Sequence, residues 1–194
     1  MIICVSPLFA MQNINLEKRE TIDRFEKAID GFKFQKATIE EVKTALGIAD
    51  EEGEAIWKEP NRVLVYYLGE IDRRSDGKIN AETQGYVFRF SPNLFGGWKL
   101  SVIYRNFVDR SFKQEDFNKK FKALNFGKTT IEEAIKVFGL PYMQHSGYFY
   151  FRDDKGESIK TKRGDKVYVY TNFSYDRCAL LFDKKRILID AVCL

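Results

Sequence analysis

Apolar residues recur at helical spacing in two stretches of the chain that lie 92 positions apart. Successive apolar positions in each stretch are three or four residues apart, which predicts an amphipathic helix with one buried face. The first stretch carries Ile22, Phe25, Ile29 and Phe32, and the second carries Phe117, Phe121 and Leu124.

A capping box predicts a second, shorter helix after each of these stretches. In such a box a Thr hydroxyl accepts a hydrogen bond from a backbone N–H three residues later, and a Glu side chain reaches back to the cap. The two boxes are Thr38 with Glu41 and Thr130 with Glu133. Both helices should end at a glycine, Gly47 or Gly139, because glycine tolerates the left-handed conformation that often follows a helix.

Alternating apolar and polar residues with many aromatics follow each helix pair and predict antiparallel strands with one buried face. The first group spans residues 62–68, 85–90 and 98–104. The second spans residues 147–151 and 166–171 and a hairpin formed by residues 178–182 and 187–193.

The two halves of the chain are similar in sequence. Residues 25–47 align with residues 117–139 without gaps, and nine of the 23 aligned pairs are identical. We therefore predict an α+β protein of two tandem repeats, each with two helices packed on its own antiparallel β-meander. The predicted units are residues 15–109 and 110–194, preceded by a leader at residues 1–14.

Composition narrows the range of functions. Hydrophobic residues make up 44% and charged residues 31% of the 194 positions, which is typical of a globular protein. The net charge of +4 is too small to demand a polyanionic partner. One His and three Cys leave little material for a metal cluster, and no motif for a cofactor is present. We predict neither metal nor cofactor.

The leader and the cysteines bear on the compartment. The leader is apolar up to Ala10, too short to span a bilayer, and resembles the end of a secretory signal. We expect a periplasmic or secreted protein, with a disordered leader on a cytoplasmic protein as the alternative. If Phe182 pairs with Ile187, Cys178 lies opposite Ala191, and Cys193 is only its diagonal neighbour. A diagonal separation of about 7–8 Å is too long for an unstrained disulfide, so we expect Cys178 and Cys193 to be free, buried thiols.

Residues 126–141 carry a further signal, because a Gly and a Thr precede a short helix that ends in Gly-Leu-Pro. This run resembles the second-helix signature of the SmpA/OmlA (BamE) outer-membrane-assembly lipoproteins and of the β-lactamase-inhibitor protein. The segment 180–187 likewise resembles the hairpin of those families. The lipobox and the inhibitor's within-domain disulfides are missing, and Gly47-Ile-Ala replaces Gly-x-Pro in the first half. The resemblance implies this fold and protein binding through a sheet face.

No set of residues predicts catalysis. His145 is the sole histidine and lies in a polar run, Met-Gln-His-Ser-Gly, which predicts a surface loop. Paired acids such as Glu132 and Glu133 occupy first helical turns, where they complement the helix dipole. We therefore predict a protein that is not an enzyme. One alternative is an enzyme whose site is assembled from unremarkable Asp, Glu and Tyr residues.

The aromatic strands predict instead a surface that binds a protein partner, because Tyr, Trp and Arg are frequent anchors of interfaces. We expect the anchors on the open sheet faces, although alternation along the strands should turn about half of the candidates into the core. The candidates are Tyr66, Tyr86, Trp98, Tyr104, Tyr148, Tyr150, Tyr168 and Tyr170. A second alternative is a cytosolic nucleic-acid-binding module that uses the basic loop 155–166.

Overall fold

The structure, a computed structural model, describes residues 16–57, 59–69, 75, 83–93, 96–108, 110, 114–146, 150–152, 158–160, 162, 164–171 and 177–193. The predicted leader at residues 1–14 lies outside these ranges. Four helices are formed: α1 (Leu16–Gly31), α2 (Ile39–Leu46), α3 (Gln114–Phe121) and α4 (Ile131–Phe138). The strands are β1 (Glu51–Trp57), β2 (Glu59–Tyr67), β3 (Gly85–Pro92), β4 (Trp98–Arg105), β5 (Met143–Ser146), β6 (Tyr150–Arg152), β7 (Ser158–Lys160), β8 (Lys166–Thr171), β9 (Arg177–Phe182) and β10 (Leu188–Cys193).

The main sheet is continuous across the whole chain. Its eight strands are antiparallel in the order β1-β2-β3-β4-β5-β8-β9-β10, and β6 and β7 form a separate two-stranded sheet. The prediction of two tandem units, each with its own meander, is therefore wrong. The halves are joined because β4 pairs directly with β5, with Val102 opposite His145 and Tyr104 opposite Met143. The predicted boundary near Arg110 falls between β4 and α3.

All four helices pack on one face of this sheet, which we call the helix-covered face. Phe25 and Ile29 of α1 are buried in a cluster with side chains of β2, β3 and β4, including Phe88 and Leu100. Phe117 of α3 and Ile131 of α4 are buried in a second cluster with side chains of β8, β9 and β10. The amphipathic spacing thus explains which side of each helix faces the sheet.

The two capping boxes are confirmed. The Thr38 and Thr130 hydroxyls accept from the Glu41 and Glu133 amides at 3.1 and 3.2 Å, and each Glu side chain accepts from its Thr amide. Both helices end at the expected glycines, with φ of 97° at Gly47 and 81° at Gly139. The ψ angles near 180° show an extended conformation with positive φ rather than the expected left-handed helical one.

The expectation of two free thiols is wrong, since Cys178 and Cys193 form a disulfide. Phe182 pairs with Leu188 rather than Ile187, and a bulge between Leu188 and Asp190 shifts the register further. Cys193 consequently lies directly opposite Cys178 instead of on the diagonal. A bulge adds one residue to one strand only, so simple counting from the turn misplaces every later pair.

Among the residues that the structure describes, each helix is too short or too polar to cross a lipid bilayer.

Candidate functional site: the helix-free sheet face

Four of the predicted anchor residues lie under the helices. Tyr66, Tyr86, Tyr168 and Tyr170 all point to the helix-covered face and are at most 5% exposed. Burial raises the pKa of Tyr66 and of Tyr168 to about 12, and it also raises the pKa of Tyr86 and Tyr170. These tyrosines are neutral core residues, and a partner cannot contact them while the helices are in place.

The remaining candidates are distributed differently. Trp98 is partly exposed at the end of β4, where its ring packs against the first core and lies 5.5 Å from the Arg62 guanidinium. Tyr104 is the one described candidate that projects from the opposite face, which we call the helix-free face. Tyr148 lies outside the described residues, and of Tyr150 only the backbone, in β6, belongs to the described part.

The helix-free face is built from side chains that alternate with the core residues of each strand. Because neighbouring strands are in register, these side chains form two rows across the sheet. One row contains Val65, Val87, Tyr104, Met143, Val169 and Ala179. The other contains Val63, Arg89, Val102, His145, Val167 and Leu181.

Burial of this face changes along the rows. Val167, Val169, Ala179 and Leu181 in β8 and β9 are at most 4% exposed. Six side chains of β2 to β5 are only partly buried, and we call them the β2–β5 patch: Val63, Val65, Val87, Arg89, Tyr104 and Met143. The patch is a mostly apolar surface on paired strands, a position that solvent or another molecule can reach.

An aromatic pair lies at the margin of the β2–β5 patch. The rings of Tyr104 and Tyr142 meet edge to face with centroids 6.0 Å apart, and the Arg110 guanidinium lies 4.5 Å from the Tyr142 ring centre. Arg110 Nε also donates a hydrogen bond to the Thr171 carbonyl oxygen at 3.3 Å. The Tyr142 ring, itself in contact with Arg110, restricts the Tyr104 side chain, and such a restriction reduces the entropy that the side chain would lose on binding.

His145 belongs to this face and is not the surface-loop residue that its polar neighbours suggested. It lies in β5 and is 4% exposed. Burial and the nearby Arg89 guanidinium lower the pKa of His145 to about 4, so the imidazole is neutral at pH 7. Gln144, the residue before it in β5, is also buried, and its side-chain oxygen accepts a hydrogen bond from Arg105 on the helix-covered face.

Arg105 organises the only network of buried charge that the described residues form across both halves. Its guanidinium donates to both carboxylate oxygens of Glu26 at 2.7 and 2.8 Å, and to the Gln144 side-chain oxygen at 2.8 Å. Burial opposes the charged form, but the Glu26 carboxylate outweighs it and raises the pKa of Arg105. The network joins α1, β4 and β5 and pairs the buried Arg105 charge with the Glu26 carboxylate.

A second set of charges links the two halves nearer the surface. Arg186 pairs with Asp30 of α1 and Glu132 of α4, and Lys166 of β8 contacts Asp30 at 3.5 Å. Lys166, the last residue of the predicted basic loop, is therefore engaged by an acid on the helix-covered face. Much of that loop lies outside the described residues. Among the described residues no group of three or more His, Cys, Asp or Glu side chains is placed to hold a metal ion.

Sequence reasoning missed Arg89, which lies at the centre of the β2–β5 patch. A signal was present, because Arg89 is the one charged residue in the strand Gly-Tyr-Val-Phe-Arg-Phe-Ser-Pro. Alternation alone could not decide between a solvated arginine and one set among apolar neighbours.

Known proteins offer no guide to these residues. No protein-family model matches the chain, and neither a curated protein nor a solved structure matches it. The resemblance to the SmpA/OmlA (BamE) and β-lactamase-inhibitor families therefore stays a prediction that rests on the residues of this chain alone.

Proposed function

We propose that this protein is a non-enzymatic binding module that recognises a protein partner through the β2–β5 patch. The observation that carries the proposal is the change of burial along one row of the sheet. Val65, Val87, Tyr104 and Met143 are partly exposed, whereas the next residues of the same row, Val169 and Ala179, are buried.

The composition of the patch fits a protein partner. An aromatic ring and an arginine surrounded by aliphatic side chains are typical of the central part of protein interfaces. The patch residues lie on four hydrogen-bonded strands whose other face is a packed core. A surface of this kind changes little on binding, so little free energy is lost in ordering it.

The disulfide supports a secreted or periplasmic location as part of this proposal. Disulfides between Cys residues such as Cys178 and Cys193 form and persist in oxidising compartments. The intact mass of the protein in fractionated cells tests this directly. A chain in the periplasmic or extracellular fraction that is two mass units lighter than its reduced form is expected, and a fully reduced cytosolic chain would contradict the location.

The binding proposal is tested with two substitutions that place a charge on an apolar surface. Tyr104→Asp changes a residue of the patch, and Ile48→Asp changes a residue that is 95% exposed in the loop after α2. The native chain and both variants are each cross-linked to their neighbours in the compartment where the protein occurs, and the cross-linked proteins are identified. We expect Tyr104→Asp to abolish a specific cross-link that Ile48→Asp retains. Equal loss or equal retention in the two variants would show that the patch is not the interface.

A further inference from the structure

The guanidinium group of Arg89 is set among apolar side chains, and no acid among the described residues forms a salt bridge with it. Arg89 lies between Val63 of β2 and Val102 of β4 in the rows of the helix-free face. Its Nε atom is buried and has no hydrogen-bond partner in the structure. Buried nitrogen donors are nearly always hydrogen-bonded in native proteins, so an unpaired one calls for an explanation.

Lys99 adds a second cation to the same face. It lies opposite Ser91, two positions along β3 from Arg89, and its side chain is partly exposed. The salt bridges among the described residues include neither Arg89 nor Lys99. Like charges on one face repel each other, and an anion bound beside them relieves that repulsion.

The other titratable groups of this face do not supply that anion. Tyr104 keeps its proton, because burial raises its pKa more than the Arg89 charge lowers it. His145 is neutral at pH 7 and adds no positive charge of its own. Glu51 and Asp190, the acids on this face whose side chains the structure describes, lie on the two edge strands, away from the centre. Among the described side chains, none places a negative charge beside Arg89 at the centre of the β2–β5 patch.

We infer that the partner segment bound by the β2–β5 patch presents a carboxylate among apolar side chains and that Arg89 is the residue that receives it. The inference rests on the function proposed above and names the chemistry of the partner. A carboxylate accepts two parallel hydrogen bonds from the forked guanidinium of an arginine, and the partly exposed Arg89 side chain can present such a fork to a partner. Lys99 strengthens the attraction, while Val65, Val87 and Met143 contact the apolar neighbours of the acid.

The same surface fits a nucleic acid poorly. Nucleic-acid sites follow a row of phosphates with several cations and stack bases on exposed aromatic rings. The patch has one cation, Arg89, and the same face adds Lys99 outside it, with aliphatic side chains as the other patch neighbours of Arg89. A protein segment with one acid and several apolar residues matches both features, so it is the occupant that the charge and the shape of the patch favour.

A library of random twelve-residue peptides displayed on phage tests the inference with the full-length protein. Selections are run in parallel on the native chain, on Arg89→Glu and on Arg24→Glu, which makes the same charge change at an exposed position of α1. We expect the native chain and Arg24→Glu to enrich peptides with Asp or Glu flanked by apolar residues. Arg89→Glu should instead enrich Lys or Arg at the same position of the peptide.

One enriched peptide, made synthetically, then gives affinities for a set of variants. Reversing the charge at a desolvated pair weakens binding strongly, so we expect Arg89→Glu to lose about 30-fold or more in affinity. Arg89→Lys should retain part of the affinity, because it keeps the charge without the fork. Thermal unfolding of each variant shows that it is folded, and Arg89→Gln replaces any variant that is not.

Three results would overturn the inference, and they separate it from the proposed function. The native chain could enrich apolar peptides that contain no acid, and Tyr104→Asp could fail to bind them. That result would rule out the carboxylate in the partner but would still support protein binding by the patch. If the enriched peptides bind Tyr104→Asp with the same affinity as the native chain, both proposals are contradicted. Displacement of the synthetic peptide by a random single-stranded DNA 20-mer, with affinity falling steeply with salt, would assign the patch to nucleic acid.

Discussion

The hydroxyl group of Tyr66 donates a hydrogen bond to the carbonyl oxygen of Gly47 at 3.0 Å. The same relationship recurs in the second half, where the Tyr170 hydroxyl donates to the Gly139 carbonyl oxygen at 3.2 Å. Each tyrosine reaches from a strand to the glycine that ends the short capped helix above it. Two residues predicted as partner anchors are therefore part of the contact between helix and sheet.

Removing either hydroxyl group should lower stability without affecting binding. We expect Tyr66→Phe and Tyr170→Phe each to reduce the free energy of unfolding by about 1 kcal/mol, the net value of one buried hydrogen bond. Urea unfolding followed by circular dichroism measures the change. Tyr104→Phe is the matched control, since Tyr104 is on the helix-free face, and it should leave the free energy of unfolding within about 0.5 kcal/mol of the native value. A larger effect at Tyr104 than at Tyr170 would contradict the assignment of the two faces.

The ion pair between Arg105 and Glu26 should be the strongest electrostatic contact of the fold. Glu26→Leu leaves the fully buried Arg105 charge without its carboxylate, and the loss of stability should be about 3 kcal/mol or more. The double variant Glu26→Leu/Arg105→Met removes both charges and should be more stable than Glu26→Leu alone. A double-mutant cycle gives the coupling, and additive effects would contradict a buried, mutually dependent pair.

The contacts of Asp30 provide a comparison at the surface. Asp30 pairs with Arg186 and Lys166, but about half of its side chain is exposed. We expect Asp30→Asn to reduce stability by less than about 1 kcal/mol, and the effect should shrink further in high salt. If Asp30→Asn and Glu26→Leu lowered the free energy of unfolding equally, this would contradict the greater burial of the Glu26–Arg105 pair.

Local features of the fold could be predicted from the sequence, and long-range ones could not. The capping boxes at Thr38 and Thr130 involve residues three positions apart, so the sequence contains the complete motif. The pairing of Val102 with His145 joins residues far apart in the chain, and nothing in either strand specifies the partner. The single sheet was missed for that reason.

The prediction of the candidate site lacked long-range information in the same way. Alternation separates the two faces of a strand but does not say which face the helices cover. Tyr86 and Tyr104 are both strand tyrosines, yet one is in the core and the other is partly exposed. The bulge beside Leu188 has no sequence signal that we recognised, and the disulfide of Cys193 depends on it.

Stability should fall as the pH drops below about 6.5, and His145 should be the cause. The pKa of His145 is about 4 in the folded protein, against 6.5 for an ordinary histidine. Between these values the unfolded chain binds a proton that the folded chain does not, so acid favours unfolding. The expected loss between pH 7 and pH 5 is about 2 kcal/mol.

The single histidine of the chain makes this prediction easy to isolate. Urea unfolding at pH 7, 6 and 5 measures the loss, and His145→Gln should remove most of it in this range, where ordinary carboxylates are still ionised. The imidazole signals in NMR spectra should not move between pH 7 and pH 5 in the folded protein. A midpoint near pH 6.5 would contradict the burial of His145 in β5.

The disulfide between Cys178 and Cys193 should stabilise the C-terminal hairpin that carries β9 and β10. The two residues are 15 positions apart, and a loop of that length corresponds to about 3 kcal/mol through the restricted entropy of the unfolded chain. Unfolding in urea with and without a thiol reductant measures the difference. Cys193→Ser should abolish the effect of the reductant, whereas Cys4→Ser, the control at the third cysteine, should leave it unchanged. Three reactive thiols in the denatured, unreduced protein would contradict the pairing and, with it, the register that the bulge beside Leu188 imposes on β10.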